Sequence, residues 1–240
     1  MSTSYKCILL LTFFVQTVAN AQNTPVVIEL FTSQGCSSYP PADELLEKIK
    51  DDYGDDVITL SYHVDYWDYI GWKDPFASKQ FTQKQYTYVE KFKSRSVYTP
   101  QAVINGRSHY TGSDKAAIYR VLNSSPKTTV PVHLAITNTQ KEDNTVTIGY
   151  KFLESNAGNE LTFVIAIDEK ITEVKRGENR NKTLKNTHIV VAEQTMRSQE
   201  PTGQVVLKLP MWIQDNDQLS VVAYVTKPNV GIIDAVTNRL

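Results

Sequence analysis

Apolar positions follow two rhythms along this chain, and the change between them divides it. Val26, Val27, Ile28, Leu30 and Phe31 form a short apolar, partly β-branched run that predicts a buried strand. Thr32 to Gly35 is turn chemistry. Pro40-Pro41 suit a first helical turn, where their missing N–H groups would be unpaired anyway. Leu45, Leu46, Ile49 and Tyr53 then recur at helical spacing. Val57 to Val64 predicts a second strand, and Phe81, Tyr88 and Phe92 mark a helix over Gln80 to Phe92. Gln101 to Ile104 reads as a strand. Asn105-Gly106 is the strongest hairpin signal in the chain, with Arg107 to Tyr110 returning. Ser113 caps a last helix over Asp114 to Leu122, with Ala117, Ile118, Val121 and Leu122 inward.

Beyond the polar, proline-bearing stretch Asn123 to Thr129 the rhythm becomes two-residue. Val130 to Ile136 and Thr145 to Phe152 alternate, and Leu161 to Ile167 is continuously apolar. Ile189 to Glu193, Val205 to Leu209, Leu219 to Val225 and Gly231 to Ala235 complete the series. Short strands without a long helical period predict an antiparallel β-sandwich. The expected organisation is an α/β domain over residues 22–125 and a β-sandwich domain over 130–240.

What precedes residue 22 is of another kind. The weakly basic MSTSYK, the apolar CILLLTFFVQTVA and Ala19-Asn20-Ala21 read as a signal peptide over residues 1–21, cut before Gln22. The protein is then expected to be secreted or periplasmic, with no membrane span after cleavage, since the apolar run is short for one. The chain has 240 residues, 41% of them hydrophobic and 21% charged, as soluble globular proteins do. A formal net charge of −1 gives no reason to expect nucleic acid as a partner.

Cleavage would remove Cys7 and leave Cys36 as the sole cysteine. A lone cysteine in an exported protein is a free thiol with a purpose, an intermolecular link or a relic. Cys36 lies just before, or at, the start of the predicted first helix. Unpaired N–H groups and the positive end of the macrodipole there favour a thiolate. The alternative is a buried cysteine serving as a small apolar residue.

A strand running into a cysteine turn at a helix start resembles the thioredoxin superfamily. Three strings narrow the resemblance: LFTSQGCSSYPPAD, HVDYWDYIGWKDPFAS, and Thr99 to Gly106. They resemble a family of exported thioredoxin-like proteins catalogued as domain of unknown function 1223. The resemblance implies a thioredoxin-like α/β domain with Cys36 as nucleophile. It also implies a cis Pro100 facing the cysteine turn, with Thr99 and Pro100 binding substrate backbone. Ser37, Ser38 and Tyr39 complete the expected binding turn. The family pattern has cysteine where this chain has Tyr39, so Cys36-Ser37-Ser38-Tyr39 holds half of a dithiol. Cys36 can attack a disulfide but would need an outside thiol to be released.

Two functions from different classes follow. One is a monothiol thiol-disulfide oxidoreductase whose partner is a thiol or disulfide of a protein or small molecule. The other is a non-catalytic binding module that has lost dithiol chemistry and uses its Tyr/Trp segment, Asp65 to Pro75, and the β-sandwich. No cofactor is called for, since Walker, G-x-G-x-x-G and G-x-S-x-G motifs are missing from the sequence. No metal is expected either, because His63, Asp65 and Asp68 do not follow a recognised ligand spacing. Lys170 to His188 is long, polar and basic. It reads as a solvated hairpin tip or as a loop that folds back over Cys36 and handles an anionic group.

Overall fold

The structure is a computed structural model describing residues 24–124, 134–152, 158–197 and 200–240. The expected signal peptide and residues 125–129 of the expected linker lie outside these. The first half contains β1 (Val26–Thr32), α1 (Pro40–Tyr53), β2 (Val57–His63), α2 (Lys79–Phe92), β3 (Gln101–Ile104), β4 (Ser108–Thr111) and α3 (Lys115–Ser124). The second half contains β5 (Leu134–Glu142), β6 (Thr145–Phe152), β7 (Glu160–Glu173), β8 (Thr183–Met196), β9 (Thr202–Lys208), β10 (Leu219–Lys227) and β11 (Gly231–Arg239).

Eight strands form one mixed sheet in the order β11-β10-β7-β8-β2-β1-β3-β4, and β5-β6-β9 form a second, antiparallel sheet. β1 lies parallel to β2 and antiparallel to β3, which turns back into β4. The division expected between residues 22–125 and 130–240 does not coincide with a division of the sheet. β8 of the second half pairs parallel with β2 of the first, through Ser61 and Ile189. β2 is buried throughout and β8 is buried at Ile189 and Val190, so a core edge is closed rather than left to solvent.

Alternation along the strands gives the large sheet two apolar faces. On one, Ile28, Leu30, Ala102 and Ile104 pack under α1 and α3. The small sheet covers Leu161, Phe163, Ile165 and Val221 further along. On the other, Val27, Phe31, Leu60 and Tyr62 meet Phe81 of α2 in a cluster that also takes in Val164, Val222 and Ile232. The sheet therefore curls on itself. Its far edge reaches the Asn105-Gly106 turn, where the Ile232 N–H donates to the Asn105 carbonyl at 2.8 Å. The closeness requires Gly231, with φ +103°, since a Cβ would stand 2.3 Å from that carbonyl oxygen.

The segment read as a loop over 170–188 is largely ladder. β7 and β8 stay paired as far as Glu173 and Thr183, leaving only 174–182 as the connection. His188, in the left-handed region at φ +49°, interrupts that ladder. Beyond it the ribbon runs back beside α1, with Lys185 Nζ 2.5 Å from Glu47, and ends at the Cys36 turn.

Candidate functional site

Cys36 sits on the turn that carries the chain from β1 to α1, half-buried between buried Gly35 and exposed Ser37 and Ser38. Its Sγ is 3.3 Å from Ser38 Oγ. The helix that follows offers the sulfur few donors. Pro40 and Pro41 have no N–H, and the Tyr39 carbonyl accepts from Ala42 and Asp43 at 2.8 and 3.1 Å. The Tyr39 N–H turns back to the Cys36 carbonyl at 3.5 Å. Cys36 thus lies ahead of the helix end, and the expected N–H donors are already engaged.

The ribbon connection closes over this turn. Asn179 is fully buried and its Nδ2 donates to the carbonyls of Gln34 and Cys36 at 3.0 and 2.9 Å. Beside it, exposed Glu178 accepts from the Ser37 N–H at 2.9 Å and the Ser37 hydroxyl at 3.0 Å. These two bonds hold the Glu178 carboxyl below the usual carboxylate range. The ribbon does fold back over Cys36, and the contacts come from Glu178 and Asn179 rather than from its lysines and arginines.

Tyr39 does not line the surface. Only 1% of it is exposed. Its hydroxyl shares a hydrogen bond with Thr99 Oγ1, which also accepts from Trp67 Nε1 at 2.7 Å and lies 3.3 Å from the Tyr66 hydroxyl. Burial holds the Tyr39 phenol far above its ordinary pKa, so it stays neutral. The Thr99-Pro100 bond is cis and Pro100 is buried. Gly112 makes room there: its N–H donates to the Pro100 carbonyl at 2.8 Å, and a Cβ would meet Pro100 Cβ at 2.9 Å. The turn and the Thr99 strand entry are therefore joined through a buried phenol.

Beneath the turn lies a polar cluster. Asp74 Oδ2 accepts from the Gln34 N–H and from His63 Nδ1, both at 2.7 Å. The His63 tautomer follows from that carboxylate partner. Gln34 Nε2 donates to Asn186 at 2.7 Å, and Asn186 Nδ2 donates to Asp43 at 3.0 Å. Trp72 Nε1 donates to Gln34 Oε1 at 3.2 Å. Burial raises the Asp43 carboxyl to about 7, partly countered by His63. Burial works against charge on His63, but the Asp74 and Asp43 carboxylates outweigh it and raise its pKa. Burial likewise opposes charge on Asp74, and His63 overrides it, lowering that pKa.

Of the expected site residues, Cys36, Ser37 and Ser38 share one accessible turn, while buried Tyr39 and Pro100 and half-buried Thr99 form its wall. His63, Asp65 and Asp68 do not converge. Asp65 accepts from Thr82 at 2.5 Å, and Asp68 accepts from the Asp74 N–H at 3.1 Å. Among the described residues no group of three or more His, Cys, Asp or Glu side chains is placed to hold a metal ion. No helix among them is long and apolar enough to cross a membrane. Sequence reasoning missed Asp43, Asp74, Gln34, Glu178, Asn179 and Asn186. Asp43 carries a sequence signal, an acid in a first helical turn, which by itself points to a dipole partner rather than to a buried cluster.

The chain is 31% identical to a protein from Agrobacterium tumefaciens whose crystal structure was determined by a structural genomics consortium. The match covers 91% of this chain and 94% of that one, with a TM-score of 0.65. No curated protein matches the chain. Residues 27–226, which span every group just described, match a family described as a protein of unknown function, DUF1223, and the chain belongs to that family.

Proposed function

We propose that the protein is an exported, thioredoxin-like monothiol protein that exchanges Cys36 with disulfides and depends on an outside thiol for release. The thioredoxin-like reading is supported by the strand order β2-β1-β3-β4 with its parallel and antiparallel senses. The cis Thr99-Pro100 bond, joined to the cysteine turn through Tyr39, supports it too. Export rests on the leader-like run before Gln22. In an oxidising compartment a disulfide R–S–S–R would meet the Cys36 thiolate. The sulfur attacks one R sulfur, the S–S bond breaks, and Cys36–S–S–R forms as R–S⁻ leaves and takes a proton. A second thiol then attacks the adduct and frees Cys36.

The observation that carries this reading is the burial of Tyr39. The residue in the resolving position is neutral, fixed on Thr99 and chemically unable to break a mixed disulfide. The test is reduction of an insulin-type disulfide substrate. Turnover should be negligible without added small thiol and appear with it; turnover without added thiol would overturn the reading. A second reading, a binding module without catalysis, is favoured by the engaged helix N–H groups and the Glu178 carboxylate over the thiol. Labelling that needs denaturant at every pH would favour it over the first.

A further inference from the structure

The Ser37 backbone N–H and hydroxyl converge on one carboxylate oxygen, Glu178 Oε2, one residue along the chain from the Cys36 thiol. Converging N–H and O–H groups form a carboxylate cradle. Its present occupant is the protein's own side chain. That occupant can leave without opening the ribbon. Glu178 is exposed, whereas its neighbour Asn179 is the buried anchor on Gln34 and Cys36. The connection around it is basic, with Lys175, Arg176, Arg180 and Lys182 against one glutamate in residues 174–182. An anion arriving there meets a favourable field.

We propose that the Ser37 cradle is a carboxylate subsite, and that Glu178 stands in it for the carboxylate of a small thiol or disulfide substrate. This deepens the proposed exchange reaction and rests on it for the chemistry at sulfur. The substrate class is a carboxylate-bearing disulfide whose carboxylate and sulfur are a few bonds apart, because the Ser37 cradle directly follows Cys36 in the chain. Binding swings Glu178 aside, places the carboxylate on Ser37 and brings the substrate sulfur to Cys36. Exchange then gives Cys36–S–S–R and R–SH from Cys36–SH and R–S–S–R.

The test compares three disulfides that differ in charge: 3,3′-dithiodipropionate, neutral 2-hydroxyethyl disulfide and cationic cystamine. Rates of Cys36 adduct formation are measured for wild type, Glu178→Gln and Glu178→Ala. The ratio of dithiodipropionate to hydroxyethyl disulfide rates should rise about tenfold in Glu178→Ala, the scale of a charged hydrogen-bonding site. It should rise less in Glu178→Gln, which removes the charge but still fills the cradle. Adding Ser37→Ala to Glu178→Ala should reverse part of the gain. Equal ratios in the Gln and Ala variants would reduce Glu178 to a long-range charge, and equal acceleration of all three probes would reduce it to a cover; either result overturns the subsite. A separate arm needs no sulfur chemistry. In Glu178→Ala, propionate at fixed ionic strength should shift the Ser37 amide resonance saturably. A saturable shift with no adduct would sink the exchange reaction and keep the subsite, and no shift would sink the subsite whatever the adducts show.

Discussion

Two buried polar clusters lie on opposite faces of β1 and β2, and they are built to opposite ends. On the α2 face, Lys84 sits 3.0 Å from Glu29 and 2.6 Å from Glu193, with the Tyr62, Tyr88 and Tyr224 hydroxyls around them. Burial opposes charge on Lys84, but Glu193 and Glu29 override it and its pKa rises well above normal. Burial also raises the three tyrosines. Those four shifts lead away from neutrality. On the α1 face, under Cys36, Asp43 is raised to about 7 and His63 is raised as well, while His63 Nε2 is buried without a hydrogen-bond partner. One cluster fastens α2 to the sheet around a lysine that stays charged through neutrality. The other can gain or lose a proton near neutrality, and through Asp74 and Gln34 it is tied to the turn that carries the thiol. Perturbed groups of that second kind gather at functional sites.

The largest expected effect breaks the first cluster. Lys84→Met would leave two buried carboxylates without their cation and should destabilise the protein by about 3–5 kcal/mol. Denaturant unfolding would measure it, with Cys36 labelling of the folded fraction unchanged. If Lys84→Met instead altered labelling, the two clusters would not be separate. Next comes the wall between turn and sheet. Tyr39→Cys replaces a buried ring with a small side chain and should lose about 2–4 kcal/mol in the reduced state through the cavity it leaves. Oxidation to a Cys36 disulfide, if the Cα atoms lie within about 7 Å, should restore part of it. Thr99→Val keeps the shape but strands the Tyr39 and Trp67 donors, and a loss of about 1–3 kcal/mol is expected in the same assay.

The sharpest test of the comparison is read in a pH slope, through Asp43→Asn. The Asp43 carboxyl titrates at 3.8 when unfolded and at about 7 when folded. Between those values the folded chain holds a proton the unfolded chain has released. This contribution is complete below the unfolded value and is lost as pH rises through about 7. His63 acts in the same sense, its contribution complete below 6.5 and lost as pH rises through its raised value. Asp74 acts oppositely and weakens the fold only as pH falls through its lowered pKa. Unfolding midpoints should therefore decline from about pH 4 to pH 7 with a slope approaching one proton, and Asp43→Asn should flatten that range while leaving the His63 decline. An unchanged slope would show that Asp43 titrates normally.

The two clusters also show what the sequence could reveal. Elements with a strong local period were legible: β1, α1, β2, α2, the Asn105-Gly106 hairpin and α3 all lie within a few residues of the expected positions. Alternation names a strand but not its neighbour, so the β2–β8 pairing that joins the halves left no trace. The β7–β8 ribbon was hidden because both its faces beyond Ile167 carry charged and polar side chains, which read as a loop. At the site, Cys36 stood out by its chemistry and Pro100 through family resemblance. Tyr39, flanked by serine and proline, looked like a surface residue, and its burial depends on Thr99 and Trp67 far along the chain. Glu178 and Asn179 meet Ser37, Gln34 and Cys36 across more than a hundred residues, and no periodicity reports such a contact.

The proposed exchange leaves Cys36 in a mixed disulfide that nothing within the protein can resolve. Intact mass measured over time after incubation with 2-hydroxyethyl disulfide and removal of excess reagent tests it most directly. The account predicts a single adduct on Cys36 that persists until an outside thiol is added and then disappears completely. An adduct that vanishes without added thiol, or a folded protein that forms none at any pH, would contradict it.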